Sequence, residues 1–460
     1  MSARRNTCTA LLFLSGLAAA VIFLCLGLLP KPAGFRDMVK PPHVAVAAVR
    51  KDGTGRRSLP ARPKRIASQV IQGPCPLSLP DFNGTVEKLI ASAEPAIHGL
   101  LDRDHTFIQL YGGAQRLMLR RVVEDTDPKY TVVKLTDEML TFADLNAQPQ
   151  DMTVRAEEMA DFARRVRKEL QTPTLYVQAP SKLDMAVLPE GISDYADAEA
   201  SQVLSLLSLH GVDTLDLRPA FRAAAKDDPE ALEELFFHTD HHWTPAGAFL
   251  AYQTLCKKLA ADYGFTLAAD KTLTDPDSFT RTSFDNVFLG SQGKRVGTLY
   301  AGTDGIEIWS PKFSTSFTYT VPLSGIKREG PFVTSLLFPE RLAKTGLYDT
   351  NPYTIYAGDD YLLSRALNHN ALEAPRILIL RDSFGCALTP FLSLVSGEVM
   401  AVDPRNFNGN QDDMMEYIRW LEPDLVIVMN TTSSLRVDSL YPYLPTARAD
   451  ALAEQKQEAK

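Results

Sequence analysis

Two rhythms of apolar and polar positions run along this chain. Glu157 to Leu170 repeats apolar residues at helical spacing, with its charges on one face, and predicts an amphipathic helix. Thr174 to Val177 is a short apolar strand closed by Pro180. Ala198 to Leu209 predicts the next helix, ended by Gly211, and Thr214 to Leu217 another strand. The same alternation returns late. Arg376 to Leu380, Val399 to Val402 and Leu425 to Met429 predict strands; Cys386 to Val395 and Met414 to Leu421 predict helices. Strand–helix–strand alternation implies an α/β fold: a parallel sheet with helices on both faces. Phe107 to Tyr111, before Gly112-Gly113, reads as one more strand. Residues 265–370 break the rhythm with short aromatic and Thr-rich runs such as Ile306 to Trp309 and Phe313 to Val321, and predict a β-rich insertion. No internal repeat is present.

The first 80 residues differ from the rest. After Arg4 and Arg5, an uncharged run ends at Leu29. Ala10 to Leu29 as a helix would rise about 30 Å, the thickness of a bilayer's hydrocarbon core. The upstream arginines predict a cytoplasmic N-terminus. A cleaved signal peptide is the competing reading, but Ala18 to Ala20 lie mid-run and no cleavage site follows. The expectation is a single-pass membrane protein: cytoplasmic residues 1–9, an anchor over 10–29 and a basic Pro/Gly-rich linker over 30–80. A body over 81–445 would lie outside the membrane, followed by a polar tail over 446–460. Cys75, Cys256 and Cys386 would then sit in an oxidising compartment, with at least one unpaired.

Charge narrows the partners. Residues 1–66 carry 12 Lys/Arg against Asp37 and Asp52, while the remainder carries 36 basic and 54 acidic residues. A body with that acidic balance argues against a nucleic-acid partner, because phosphate binding needs a basic face. Five cysteines in 460 residues exclude a disulfide scaffold.

Two clusters carry candidate chemistry. In the first, His238, His241 and His242 fall within five residues beside Asp240, just before Thr244-Pro245, a helix start with Thr as N-cap and Pro at the first helical position. The second is Ile377 to Leu380 followed by Arg381-Asp382-Ser383-Phe384-Gly385: strand, tight turn, then helix. Such a turn lifts Ser383 off the sheet's carboxyl edge, with backbone N–H groups nearby, a geometry suited to a nucleophile. Serine needs a base, and a carboxylate fixes the base's tautomer. Asp240, one histidine and Ser383 supply the three parts. The bland alternatives are a capping serine and an inert histidine pair. Zinc held by His238, Asp240, His241 and His242 is a further alternative.

Asp240-His241-His242-Trp243 resembles the signature of the DHHW family, and also the Asp-x-His-Trp motif of alginate O-acetyltransferases, whose catalytic domains are SGNH-hydrolase-like. Arg381-Asp382-Ser383-Phe384 is similar to that clan's Gly-Asp-Ser block, with Arg in place of Gly. Thr174 to Lys182, Asp216 to Pro219 and Pro423 to Val426 extend the resemblance over roughly residues 81–445. The serine follows the Asp/His pair, which resembles a circularly permuted motif order. The resemblance implies Ser383 as nucleophile, His242 as general base and Asp240 as its orienting carboxylate. It gives Asn430, after the Leu425 to Met429 strand, an oxyanion role, with Trp243 and His241 near oxyanion or substrate. Asp285 to Arg295 would line the acceptor cleft.

The function so implied is O-acetylation of a cell-surface or exported polysaccharide. Its partners would be a polysaccharide acceptor and a membrane-bound O-acyltransferase supplying acetyl groups, with no metal or organic cofactor. An acetyl-esterase would use the same residues with water as acceptor. A non-catalytic carbohydrate-binding or scaffold protein is the third reading. On an extended loop, Asp240 and His242 would face each other while His241 pointed away.

Overall fold

The chain divides after Pro80, and its second unit is Asp81–Lys460. The computed structural model describes residues 105–450 except 136–137, 144–147, 185–187, 226–228 and 344–345, all within the second unit. Its strands are β1 (Val122–Val123), β2 (Val132–Lys134), β3 (Leu140–Phe142), β4 (Thr174–Ala179), β5 (Asp213–Asp216), β6 (Phe279–Phe288), β7 (Asp304–Pro311), β8 (Phe317–Val321), β9 (Ile326–Gly330), β10 (Ser364–Asn368), β11 (Arg376–Arg381), β12 (Glu398–Val402) and β13 (Leu425–Thr431). The longer helices are α1 (Thr106–Leu117), α2 (Thr153–Leu170), α3 (Ala196–Leu209), α4 (Pro245–Asp262), α5 (Gly385–Leu392) and α6 (Gln411–Leu421).

Eight strands form the main sheet in the order β5-β4-β13-β11-β12-β10-β8-β9. The first five run parallel, as the α/β rhythm implied. Each central strand is a continuous apolar run because both of its faces are covered. Ile377 and Ile379 of β11 enter a core that includes Phe249 and Leu255 of α4 and Phe391 of α5. Leu378 and Leu380 enter the opposite core with Phe162 of α2, Val203 of α3 and Ile418 of α6. Helix α6 starts at a reciprocal capping box between Asn410 and Asp413.

The sheet is mixed: antiparallel strands extend the expected parallel one. Strands β10, β8 and β9 join antiparallel beyond β12. They come from the stretch expected to be an insertion, so part of that stretch continues the main sheet. Its other strands, β6 and β7, form a separate antiparallel ribbon. Strands β1, β2 and β3 make a small antiparallel sheet.

Phe107 to Tyr111 is helical, not a strand: it lies in α1. The aromatic and β-branched residues that suggested a strand are mostly not buried, Leu110 being 55% exposed. The contact that matters is made by glycine. A Cβ on Gly112 would lie 1.7 Å from the Val296 carbonyl oxygen, so the missing side chain lets two backbones touch.

The single-pass membrane localisation is also corrected. Among the described residues no helix is long and apolar enough to cross a membrane. The anchor read over 10–29 lies outside the described residues, as do the linker and Cys75. Cys256 and Cys386 are buried and not disulfide-bonded.

The two glycines of α1 separate packing from propensity. Gly112→Ala is expected to lower stability by about 1–3 kcal/mol through overpacking against backbone. Gly113→Ala meets only the Leu299 side chain, at 3.3 Å. It should be near neutral or gain up to about 1 kcal/mol from helix propensity. Urea midpoints of the two variants check this.

Candidate active site

The histidine loop is a tight, heavily pinned turn. Phe236 and Trp243 pair antiparallel, and the Phe237 N–H donates to the His242 carbonyl at 3.2 Å. Thr244 caps α4 by accepting from the Gly247 N–H at 3.1 Å, as its Thr-Pro sequence predicts. Asp304 holds the loop from β7: its carboxylate accepts from the backbone N–H groups of His238 and Thr239, each at 2.7 Å, and from the Thr239 hydroxyl. The buried Lys182 ammonium, just beyond β4, donates to the Phe237 carbonyl at 2.7 Å and the Leu140 carbonyl at 2.5 Å.

On this loop Asp240 Oδ1 lies 2.5 Å from His242 Nδ1 and accepts from the His242 N–H at 3.1 Å. His242 Nε2 lies 2.7 Å from Ser383 Oγ. Asp240 Oδ2 accepts from the Ser291 N–H at 2.7 Å. Burial opposes charge on Asp240. The two adjacent imidazoles and the hydrogen bonds from His242 and Ser291 outweigh it and hold the carboxyl well below its usual range. Gly290 sits against this carboxylate: a Cβ there would lie 2.2 Å from Asp240 Cβ.

Ser383 follows the carboxyl end of β11 and is half-buried, while Asp382 is buried. Asp382 shapes the turn, accepting from the Phe384 N–H at 3.0 Å, the Thr431 N–H at 2.7 Å and the Ser434 hydroxyl at 2.7 Å. The N–H groups of Gly385 and Cys386 are spent inside the turn, on Asp382 and Ser383 carbonyls. Of the N–H groups expected to face a ligand, only that of Ser383 meets no acceptor among the described residues. The Phe384 carbonyl accepts from Trp243 Nε1 and from the Tyr353 hydroxyl, each at 3.0 Å. The Tyr353 ring stacks on His242, with centroids 3.9 Å apart and planes 14° apart.

The structure therefore brings Asp240, His242 and Ser383 into one hydrogen-bonded chain. Trp243 is fully buried and points at the turn instead of a substrate space. Asn430 is the penultimate residue of β13; its Oδ1 is buried without a partner, and no contact joins it to Ser383 among the described residues. His241 does not point away from His242, because the loop is a turn and not extended. The two rings lie 3.9 Å apart, and His241 Nδ1 is 2.7 Å from Ser291 Oγ. Desolvation by the packed neighbours, with His242 alongside, pushes the His241 imidazolium well down and leaves the ring neutral at pH 7. Asp240, His241 and His242 offer ligand atoms within 4.8 Å of one another, the part of the histidine cluster with metal-site spacing; His238 is not in that group. Two of those residues, Asp240 and His242, are hydrogen-bonded to each other. Sequence reasoning missed Tyr353, Asp304 and Lys182 at the site. Within Asp285 to Arg295, Gly290 and Ser291 cradle Asp240, and Ser291 also meets His241.

Residues 136–282 match the family model described as SGNH hydrolase-like domain, acetyltransferase AlgX. Residues 229–402 match the model described as DHHW protein. Among solved structures, Bacillus cereus PatB1 with a sulfonyl adduct is 22% identical. It covers 70% of this chain and 99% of its own, with a TM-score of 0.54. A DHHW family protein from Eubacterium siraeum is 16% identical over 70% of this chain and 97% of its own, with a TM-score of 0.52. These likenesses show a shared fold. No curated protein matches by sequence.

The lowered Asp240 pKa has a signed consequence for stability. An unfolded Asp titrates near 3.9, so the contribution is fully present above about pH 4 and is lost as pH falls through the lower folded value. Asp240→Asn lacks it. The stability gap between the two proteins should be about 1.5–3 kcal/mol near neutral pH, the range for a hydrogen-bonded charged group. It should narrow below about pH 4. Urea titrations at pH 6 and pH 3 measure it, and a gap that widens in acid contradicts a lowered pKa.

Proposed function

We propose that the protein transfers an acyl group, most simply acetyl, through Ser383 to a hydroxyl of a polysaccharide. The observation that carries this reading is the unbroken hydrogen-bonded chain Asp240–His242–Ser383, with a half-buried serine at its end. His242 takes the Ser383 proton as Oγ attacks the acyl carbonyl, and Asp240 fixes the tautomer that leaves Nε2 free to accept it. The Ser383 N–H, which meets no acceptor among the described residues, is the proposed donor to the oxyanion, and Asn430, the penultimate residue of the strand next to β11, would join it through Nδ2. His242 then passes the proton to the departing group and activates the acceptor hydroxyl. The matched acetyltransferase family model supports acetyl as the group transferred. With water as acceptor the same residues make an esterase. A membrane-bound O-acyltransferase supplying the acyl group remains the proposed partner, testable by co-purification.

Turnover of 4-nitrophenyl acetate tests the reading. Ser383→Ala and His242→Ala should each lose on the order of 10⁴ or more in rate, with Asp240→Asn close behind. Equal turnover by Ser383→Ala and the unmodified protein would sink the assignment. Treatment with a strong chelator should leave the rate unchanged. A loss on chelation restored by zinc would instead make Asp240, His241 and His242 metal ligands.

A further inference from the structure

The Asp240–His242–Ser383 chain employs one histidine of the pair, yet the other is held in place just as deliberately. Ser291 Oγ meets His241 Nδ1 at 2.7 Å, while the Ser291 N–H is tied to Asp240. The His241 ring packs against His242, with Phe384 at 6.1 Å and Phe142 at 6.4 Å between centroids. Tyr353 and His241 each lie 3.9 Å from the His242 ring and do not touch each other, so they flank it on opposite faces. With its ring packed and Nδ1 occupied, His241 keeps one open polar atom. Nε2 has no partner among the described residues and is not buried, and the side chain is 41% exposed. An accessible imidazole nitrogen thus sits beside the imidazole that touches Ser383.

We propose that His241, positioned by Ser291, binds the acceptor hydroxyl through Nε2 and thereby favours transfer to an alcohol over hydrolysis. This rests on the acyl-transfer reading of Ser383. In the second half of that reaction the acceptor O–H gives its proton to His242 Nε2 as its oxygen attacks the acyl carbon. The new ester C–O bond forms, the Ser383 C–O bond breaks, and His242 returns the proton to Ser383 Oγ. Water can follow the same path. An alcohol outcompetes it only if a further contact holds the alcohol in line. The acceptor's one proton is committed to His242, so its oxygen accepts from His241 Nε2–H, the tautomer in which Nδ1 accepts from the Ser291 hydroxyl.

The test uses the full chain with 4-nitrophenyl acetate as donor and a panel of glycerol, methyl glucoside and methyl mannoside as acceptors. Nitrophenol release reports acylation of Ser383; acetylated alcohol against free acetate reports partition. For His241→Ala the transfer-to-hydrolysis ratio should fall about tenfold or more, the cost of a lost hydrogen bond to substrate. Acylation should fall by a few-fold at most. Ser291→Ala should shift the ratio in the same direction by less, and His241→Gln should recover part of it. Should His241→Ala not fold, as judged by circular dichroism, the Gln and Ser291 variants carry the measurement. An unchanged ratio overturns the proposal, as does a parallel fall in acylation and ratio. A native protein that acylates but transfers to none of the alcohols overturns it too. A native protein with no nitrophenol release above Ser383→Ala sinks the acyl-transfer reading instead.

Discussion

The site depends on one carbonyl oxygen. Phe384 follows Ser383, and its carbonyl accepts from Trp243, which follows His242, and from Tyr353, which stacks on His242. Two segments 141 residues apart are thereby fixed in the register that lets Nε2 reach Oγ. A single neutral hydrogen bond contributes only about 0.5–1.5 kcal/mol net, but a buried indole N–H left unpaired costs about 1–3 kcal/mol. The strength comes from burial. Trp243 is enclosed by Phe221 and Phe384, and removing such a side chain costs about 3–5 kcal/mol. Apolar packing holds the loops together; the hydrogen bonds decide how they are aligned.

Behind the serine, an arginine occupies a position where the related motif has glycine. Arg381 is the last residue of β11 and is fully buried, which would be costly for an unpaired charge. It is paired: its guanidinium meets Asp360 at 2.5 Å and the Asp359 carbonyl at 3.2 Å, and Asp360 also receives Arg405 at 2.7 Å. The two guanidiniums hold the Asp360 carboxyl well below its usual range despite its burial. The side chain runs under α5, where Gly385 leaves room; a Cβ there would lie 2.5 Å from Arg381 Cδ. The substitution therefore leaves the Asp382-Ser383 turn intact because the adjacent glycine accommodates it. Removing one partner of such a buried pair is more damaging than replacing both.

The alternating rhythm, the Thr244-Pro245 helix start and the serine after an Ile/Leu strand were legible because each is written in neighbouring residues. Asp240, His242 and Ser383 were legible from their motifs, although their approach is long-range. What escaped was support delivered from afar. Asp304 reaches the loop across 65 residues, Ser291 across 51, and Tyr353 contacts the serine turn across 30. None carries a local pattern that marks it. The orientation of His241 escaped for another reason: alternation of side chains holds only for extended backbone, and pairing of Phe237 with His242 folds the loop back. In α1 the Gly112-Gly113 pair reads as the end of a strand, yet the helix runs through it to Leu117; the close contact between backbones was hidden because its partner Val296 is remote in sequence.

These distant supports share an origin. The parallel half of the sheet supplies Ser383 and Asn430 at the carboxyl ends of β11 and β13, where such sheets bind ligands. Asp304, Gly290, Ser291 and Tyr353 all come from the stretch that breaks the rhythm. Strand β7 brings Asp304 to the backbone of the histidine loop, and Phe237 packs edge-on against both Phe288 of β6 and Tyr353. The irregular stretch is thus the wall that keeps His242 facing the serine. Cutting the chain back to its regular strand–helix repeats would keep the nucleophile, the histidine and its carboxylate. It would leave the His242 ring without the face that Tyr353 covers and Asp240 without the N–H of Ser291. A serine, a histidine and an aspartate make a working chain only at hydrogen-bond distance, and here the irregular stretch sets that distance.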